Sequence, residues 1–189
     1  PNTLETMKPW RDRLSDRSTI PPLAGTFDVV IVGGGIAGCG AALAAEEQGK
    51  KVALIHDRPV LGGNASSEVR VHTLGVHGPV KRILKGIDSK HWKNGSAEAI
   101  PDTHKRHRTM DASSIHQFLQ WRAEGVVMNG NRIVSVDARH TDSGKTLRFH
   151  APIFIYGTGD GWIGYWAGGD FRYGRESRNE INEGWEKHG

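Results

Sequence analysis

The sequence predicts a mixed α/β chain with a parallel central sheet and a small antiparallel β-meander. A β-branched run at residues 29–32 ends in a glycine-rich turn and continues into an alanine-rich segment. A second apolar run, residues 52–55, is followed by the glycine pair Gly62 and Gly63. Asn-Gly and Ser-Gly turns separate alternating segments in the second half. Continuous apolar runs are typical of parallel strands covered on both faces, and the turns are typical of hairpins.

Composition and charge exclude several classes of function. The 189 residues are 37% hydrophobic, with a mean hydropathy of −0.50, which allows one hydrophobic core. The 25 Lys and Arg side chains are scattered among 21 Asp and Glu side chains, and the net charge is +4. This scatter predicts a solvated surface and no nucleic-acid partner. No apolar run reaches the ~18 residues that a membrane-spanning helix needs, so no membrane span is predicted.

The cysteine content and the first residue bear on the compartment. Cys39 is the only cysteine, which excludes an internal disulfide and a Cys-x-x-Cys pair. The chain begins with Pro1, so removal of a signal peptide is one interpretation. A cytoplasmic location and a periplasmic or secreted one are therefore both open.

Residues 1–25 are expected to form an arm ahead of a main domain at 26–177. Pro21 and Pro22 end any helix that precedes them. Before them, apolar residues recur near helical spacing, which predicts a short amphipathic helix packed on a neighbouring surface. These residues are Leu4, Met7, Trp10 and Leu14.

The glycine turn after the first apolar run is the central motif. Gly33 permits the tight turn, Gly35 lets a pyrophosphate approach the main chain, and Gly38 lets the following helix lie close to the strand. The amides that open this helix, at Ile36 and Ala37, point at the phosphates, and the helix dipole favours their negative charge. The strand–turn–helix context favours a dinucleotide site over an ordinary structural turn.

The second apolar strand ends at His56, where a dinucleotide-binding fold carries an acid for the adenosine ribose. Asp57 could accept hydrogen bonds from the ribose hydroxyls, or His56 could substitute for the acid. Arg58 could bind a phosphate, which keeps an NADP interpretation open. The alternative is a solvated pair of Asp57 and Arg58 without a role in binding.

The glycine pair, which Asn64 follows, offers bare main chain where the middle of a cofactor could pass. Residues 69–78 then alternate apolar and polar side chains, which predicts an extended segment. Its Arg70, His72 and His77 are surface residues by default, although their position also favours contact with a cofactor or substrate. His72 and His77 are the candidate catalytic residues, because their intrinsic pKa range suits a proton acceptor.

Residues 78–114 are expected to form an irregular or helical insert. Residues 96–100 predict one helical turn, which Pro101 interrupts. The cluster at 104–108 is basic and contains two histidines, but no cysteine or paired acid completes a metal-ligand set. We therefore predict a solvated basic turn there and no metal site.

The second half of the chain predicts mostly strands. Residues 115–121 form either the third parallel strand or a short helix. Residues 126–150 alternate with period two between hairpin turns, which predicts the meander. The apolar run at 151–156 ends in a glycine turn at 157–161, which suits a return to the cofactor crevice.

The end of the chain is rich in aromatic residues, which crowd positions 162–173. Such rings stack on sugars or on cofactor rings, although most aromatic clusters belong to a core. Residues 178–189 are expected to form a tail.

Three segments together resemble the FAD-dependent oxidoreductases of the glutathione-reductase-type fold: the glycine turn, residues 61–68, and the meander that leads into residues 158–161. A more specific resemblance is to the bacterial, xanthan-lyase-related branch, which is often found beside polysaccharide-degrading enzymes. It covers about residues 27–77 and 125–177. The resemblance implies a Rossmann-like domain that binds the diphosphate of FAD on Gly33, Gly35 and Gly38. It also implies that Gly62, Gly63 and Asn64 lie near the diphosphate or the ring. Thr158, Gly159 and Asp160 would lie at the cofactor, the first two near its adenosine half.

Three features depart from the family pattern. His56 stands where the family has an acid, and the insert between His77 and Gly125 is short. The chain also stops at Gly189, before the strand ending in Gly-Asp that closes the flavin site in such enzymes. We therefore expect an incomplete domain, closed by a further chain segment or by a partner chain, including a second copy.

The leading functional hypothesis is an FAD-dependent oxidoreductase that transfers a hydride or electrons between flavin and a small molecule, which the resemblance suggests is carbohydrate-related. One alternative is an NAD(P)-binding Rossmann enzyme in which Asp57 or Arg58 binds the ribose. Another is a non-catalytic, partial nucleotide-binding domain that serves as a subunit. A reactive Cys39 in the first helical turn is conceivable, but packing of a small residue explains it better.

Overall fold

The computed structural model describes residues 20–75, 77–78, 81–90, 92–93 and 96–172. The amphipathic helix predicted around Leu4 and Trp10 lies outside the described residues, and so does the predicted tail at 178–189.

A four-stranded parallel sheet forms the centre of the fold. Its strands lie in the order β4 (His116–Leu119), β3 (Val52–His56), β2 (Val29–Val32) and β8 (Ile153–Tyr156). Val32 at the end of β2 pairs with Ile55 on one side and Tyr156 on the other. The carboxyl ends of β2, β3 and β8 therefore meet at one edge, which is where α/β sheets bind their ligands.

A second sheet contains the strands β1 (Leu23–Thr26), β7 (Thr146–His150), β6 (Arg132–His140) and β5 (Trp121–Asn129), in that order. β5, β6 and β7 pair antiparallel, as the alternating pattern predicts. β1 pairs parallel with β7, so part of the segment expected to be an arm belongs to this sheet.

The helices are α1 (Ile36–Glu46), α2 (Lys81–Ile87), α3 (Ala99–Asp111) and α4 (Trp162–Trp166), and a short 3₁₀ turn covers Gly63–Ala65. The predicted interruption at Pro101 is wrong, because this proline lies in the first turn of α3. An amide in the first turn has no carbonyl partner within the helix, so proline costs little there.

The parallel sheet is the middle one of three layers. Val30 and Val32 pack with Val136 and Phe149 of the second sheet. The alternate residues of β2 pack on the other face against α1 and the insert, in a cluster that includes Val29, Ile31, Cys39, Ala42, Ile87 and Met110. Because both faces are covered, every residue of β2 and β3 is buried. This double burial explains the continuous apolar runs in the sequence.

Two segments that the sequence left open are now defined. Residue Ala53 of β3 pairs parallel with His116 of β4, which confirms the strand alternative for residues 115–121. The described parts of the predicted extended segment, 69–75 and 77–78, contain no strand. Arg70 there has a φ of 68°, and the Val71 amide turns back to donate to the Asn64 carbonyl at 2.7 Å.

Candidate functional site

The turn between β2 and α1 leaves no room for side chains on its protein side. Gly33 has a φ of +108°, and a Cβ there would lie 2.6 Å from the carbonyl carbon of Gly157. A Cβ at Gly38 would lie 1.7 Å from the Gly33 carbonyl oxygen, so only glycine allows α1 to approach β2 this closely. Gly35 is different, because a Cβ there would meet nothing within 4 Å. The turn is therefore packed behind and bare in front.

The first turn of α1 faces the same open side. Gly35 is its N-cap, no side chain caps the helix, and the first turn carries no acidic residue. The first amides of a helix have no partner within it, and the helix dipole places partial positive charge beside them. Ile36 and Ala37 line the cavity described below, so this end of the helix is suited to an anionic group.

A second glycine loop, residues 61–65, lies against the first. The Gly62 amide donates to the Gly34 carbonyl at 2.8 Å, and Gly62 forms a parallel bridge with Gly35. Gly62 and Gly63 have φ values of +113° and +55°, a region that favours glycine. A Cβ on Gly63 would lie 3.2 Å from the Cα of Gly35. The two loops together present a strip of main chain.

Both loops open on a cavity of about 1360 Å³. This exceeds the ~300–1,000 Å³ of a typical small-molecule pocket and suits an extended ligand. The second sheet contributes Trp121, Glu124 and Arg139 to its wall, none of which the sequence singled out.

Gly38 is packed behind the turn. The other predicted cofactor residues line the cavity: Gly33, Gly35, Ile36, Ala37, His56, Asp57, Arg58, Gly62, Gly63, Asn64, Thr158, Gly159 and Asp160.

His56 supports the glycine turn. Its side chain is 6% exposed, its Nδ1 accepts the Gly34 amide at 3.0 Å, and its Nε2 lies 3.0 Å from the Val60 carbonyl. An amide N–H can only donate, so Nδ1 is unprotonated and Nε2 donates from a neutral ring. Burial lowers the pKa of His56, which favours this neutral form. Both nitrogens are thus engaged by main chain, which leaves Asp57 as the half-exposed carboxylate at this strand end.

Arg58 pairs with Glu68 rather than with Asp57. Its terminal nitrogen donates to the Glu68 carboxylate at 3.1 Å, and both side chains are partly exposed. In the alternative in which Asp57 and Arg58 form a solvated pair, Arg58 is thus paired instead with a residue ten positions further on.

Residues 28–187 match the family of FAD dependent oxidoreductases. The chain belongs to this family. Its cofactor is FAD, and the open glycine turn, the uncapped helix and the extended cavity fit a dinucleotide with an anionic diphosphate. The match does not separate branches, so the xanthan-lyase-related branch stays a prediction.

Curated relatives match a short part of this flavoprotein chain. The soluble pyridine nucleotide transhydrogenase of Azotobacter vinelandii is 39% identical over 59 residues, which is 31% of this chain and 13% of that protein. The aerobic glycerol-3-phosphate dehydrogenase of Staphylococcus saprophyticus is 46% identical over 61 residues, 32% of this chain and 10% of that protein. The chain thus spans about an eighth of the first of these relatives and a tenth of the second.

Solved structures share the fold at low identity. THI4 of Thermovibrio ammonificans has a TM-score of 0.54 and 23% identity, over 86% of this chain and 66% of that one. A geranylgeranyl bacteriochlorophyll reductase-like protein of Thermoplasma acidophilum has a TM-score of 0.55 and 22% identity, over 76% and 42%. The glycerol-3-phosphate dehydrogenase of Bacillus halodurans, complexed with FAD, has a TM-score of 0.51 and 15% identity, over 79% and 36%.

Helix α3 supports the second glycine loop, a support that no local motif in the sequence indicates. The predicted solvated basic turn at 104–108 is wrong, because Arg106 is 0% exposed. Its guanidinium donates to the carbonyls of Ile87, Leu61 and Ala65. The neighbouring His107 accepts the Leu61 amide on Nε2 at 3.1 Å, and burial lowers its pKa, so this ring is neutral too.

The spacing of buried residues in α3 contains a pattern that could have revealed this. Ala99, Thr103, Arg106 and Met110 recur at helical spacing, and all four are buried. Arg106 occupies a core position in that stripe. Ending the helix at Pro101 hid the pattern, so the arginine was counted with its exposed neighbours.

The two candidate catalytic histidines lie in different surroundings. His72 is half-buried and lines the cavity. His77 is exposed and is not part of the cavity lining. Thr73 also lines the cavity and hydrogen-bonds Asp88, whereas Leu74 and Gly75 are exposed and are not part of the lining.

Part of the aromatic cluster lines the cavity, and Trp166 also packs against the core. Trp162 and Trp166 stack with ring centroids 6.0 Å apart, and both line the cavity. The Trp162 amide donates to the Tyr156 hydroxyl at 3.1 Å, and the same hydroxyl bonds Thr158. These contacts order the turn after β8 beside the glycine turn.

Cys39 is a packing residue. It is 0% exposed on the inner face of α1, and burial raises the pKa of its thiol to about 12. A thiolate is therefore disfavoured at neutral pH, in agreement with the packing interpretation.

Among the described residues, no group of three or more His, Cys, Asp and Glu side chains is placed to hold a metal ion. No helix within those ranges is long and apolar enough to cross a bilayer.

Proposed function

We propose that the whole protein is an FAD-dependent oxidoreductase that acts on a small molecule, and that this chain supplies the main-chain platform for the FAD diphosphate. The single observation that carries the proposal is the open face of Gly35, which lies between the uncapped start of α1 and the main chain of Gly62. FAD supplies the redox chemistry, accepting or giving a hydride or electrons, and the protein supplies position and electrostatics.

The diphosphate is proposed to lie over Gly35, where the amides of Ile36 and Ala37 are free to donate to its oxygens. Gly63 and Asn64 line the cavity next to Gly35 and continue the contact surface. The rigid packing behind Gly33 and Gly38 keeps these amides in place without a ligand, so little ordering is needed on binding.

Asp57 is proposed to accept hydrogen bonds from the adenosine ribose. It follows the buried end of β3, lines the cavity and is the carboxylate at that position. The ion pair of Arg58 with Glu68 partly neutralises the cation that would favour a 2′-phosphate, which supports FAD over an NADP site. Thr158, Gly159 and Asp160 are proposed to line the cofactor from the end of β8.

His72 is the better placed of the two proposed proton acceptors, because it lines the cavity and His77 is exposed outside it. The substrate class rests on the resemblance alone, which suggests a carbohydrate-related small molecule. A closing segment, from elsewhere in the protein or from a second copy, is proposed to complete the flavin side of the cavity.

The test is flavin content of the full-length protein and of a Gly35→Val variant. Gly35 has a φ of −67°, which valine tolerates, and its Cβ would enter open space, so the variant should fold. We expect wild-type protein to release FAD on denaturation and the variant to hold little. Gly164→Val is the matched control, because a Cβ there also meets nothing within 4 Å and Gly164 lies outside the cavity lining. Folded wild-type protein that takes up no FAD, or a variant with full occupancy, contradicts the proposal.

A further inference from the structure

Arg106 connects three separate pieces of main chain behind the second glycine loop. Its Nε donates to the carbonyl of Ile87, the last residue of α2, at 2.8 Å. Its two terminal nitrogens donate to the Leu61 carbonyl at 3.0 Å and the Ala65 carbonyl at 3.3 Å. The planar guanidinium therefore holds both ends of the loop at fixed positions.

The guanidinium also packs directly on the middle of that loop. A Cβ on Gly62 would lie 2.3 Å from a terminal nitrogen of Arg106, so the absence of a side chain at Gly62 makes room for the arginine. Gly62 in turn donates to Gly34 and bridges Gly35, the residue with the open face. Arg106 is thus separated from the proposed diphosphate position by the main chain of one loop.

The charge of Arg106 is only partly balanced, by the carboxylates of Asp102 and Asp88, which act on it from beyond ion-pair distance. Within the part of the chain that the structure describes, no carboxylate lies within 4.0 Å of its guanidinium. Carbonyl oxygens satisfy its hydrogen bonds, but a buried cation still favours an anion nearby, and attraction is strong where water is excluded. The open side of Gly35 is the place where such an anion can approach.

We propose that Arg106 is a positioning residue for the cofactor diphosphate: it fixes the loop 61–65 against the glycine turn and places a buried positive charge behind it. The charge part of this inference rests on the proposed function. The loop-fixing part does not, because it concerns the protein without cofactor.

A purely structural arginine makes a different prediction. Such a residue would lower the stability of the whole chain when replaced, and it would weaken the binding of any ligand of the cavity to the same extent. A positioning residue for the diphosphate should instead affect phosphate-bearing ligands selectively. ADP and adenosine form the matched pair of probes, since they differ only in the diphosphate.

The experiment compares Arg106→Met, Arg106→Lys and the control Arg108→Met in the full-length, flavin-free protein. Arg108 lies two residues further along α3 and is exposed, so its replacement removes the same charge from the surface. Amide hydrogen exchange at Gly62, Ala65 and Ser66 reports the loop, because each of these amides donates to another main-chain carbonyl. Calorimetry measures the affinities for ADP and for adenosine.

We expect Arg106→Met to lower ADP affinity about tenfold or more, to change adenosine affinity less than about twofold, and to speed exchange in the loop. Arg106→Lys should keep most of the preference for ADP, while Arg108→Met should match wild type. Equal losses for ADP and adenosine, unchanged ADP affinity, or unchanged exchange in Arg106→Met would overturn the inference.

If circular dichroism shows that Arg106→Met does not fold, the lysine variant decides. The proposal is supported if Arg106→Lys speeds amide exchange in the loop 61–65 and still binds ADP in preference to adenosine. It is overturned if Arg106→Lys, which keeps the positive charge, loses the preference for ADP. Wild-type protein that binds neither ADP nor FAD is a failure of the proposed function. In that case unchanged loop exchange in Arg106→Met or Arg106→Lys would overturn the positioning role as well.

Discussion

The two glycine loops of the site are built in the same way toward the cavity but are supported differently from behind. The turn at Gly33–Gly38 rests mainly on main chain, since Gly157 and the carbonyl of Gly33 itself fill the space behind it, and one side chain, His56, accepts the Gly34 amide. The loop at 61–65 rests on side chains, chiefly Arg106 and His107 of α3. The first loop is thus fixed mainly by the absence of its own side chains, and the second by side chains distant in sequence.

This difference explains why the first loop can be recognised from the sequence and the support of the second cannot. A turn that requires glycine leaves a local spacing that can be recognised, whereas a support from a helix some 40 residues away leaves none nearby. It also predicts that the two loops fail differently. Added atoms should disrupt the first loop most, and removal of hydrogen-bonding groups should disrupt the second most.

The largest effect is expected from Gly38→Ala. Its Cβ would lie 1.7 Å from the Gly33 carbonyl oxygen, so α1 must move away from β2, and we expect a destabilisation of about 3 kcal/mol or more. Urea unfolding of the full-length protein measures it.

Gly40→Ala is the control in the same helix. Its Cβ would make an ordinary contact with Ile87 Cδ1 at 3.8 Å, and alanine favours a helix by roughly 0.5–1 kcal/mol. We expect a small gain in stability. Equal loss in both variants would show that the close approach of α1 is not specific to Gly38.

His56→Leu should come next in size. It leaves the Gly34 amide and the Val60 carbonyl without their partner, and a buried unsatisfied group costs about 1–3 kcal/mol. We expect a loss of about 2–4 kcal/mol in urea unfolding. His104→Ala, at an exposed position of α3, should change stability by less than about 0.5 kcal/mol. If His56→Leu were as stable as His104→Ala, the role of His56 in holding the glycine turn would be refuted.

The glycine turn and the side chains that support the site differ in how far the sequence predicts them. The parallel strands, the meander, the packing roles of Gly33 and Gly38 and the open face of Gly35 follow from apolar runs and turn residues, which depend on local physical constraints. The function of His56 could not be predicted, because its strand position suggested a ribose contact and only the fold shows both nitrogens bound to main chain. Arg106 was missed because burial of a charged residue depends on tertiary packing.

Low pH should lower the stability of both glycine loops by protonating the histidines that support them, His56 and His107. Burial lowers the pKa of His56 and of His107, whereas an unfolded histidine titrates near ~6.5. Below that pH the unfolded chain binds more protons than the folded one, so stability falls as the pH falls toward the folded values. Melting temperatures between pH 7.5 and 5 measure this, and His56→Asn should show a shallower decline. A stability that rises on acidification would contradict the neutral rings.

The smallest effect is expected from Arg58→Ala. The ion pair with Glu68 is partly exposed, and such pairs contribute about 0.2–1 kcal/mol. FAD affinity should stay within about twofold of wild type, because neither loop depends on this pair. Calorimetric titration with FAD checks this. A large loss of affinity would place Arg58 in direct contact with the cofactor.

The most direct measurement is an amide NMR titration of the ¹⁵N-labelled, flavin-free full-length protein with ADP. The account predicts that the amides of Gly35, Ile36 and Ala37 shift most, while Gly130, in the hairpin between β5 and β6, stays unchanged. Saturable binding of ADP that leaves these three amides unshifted would contradict the central claim, because the diphosphate would then lie elsewhere.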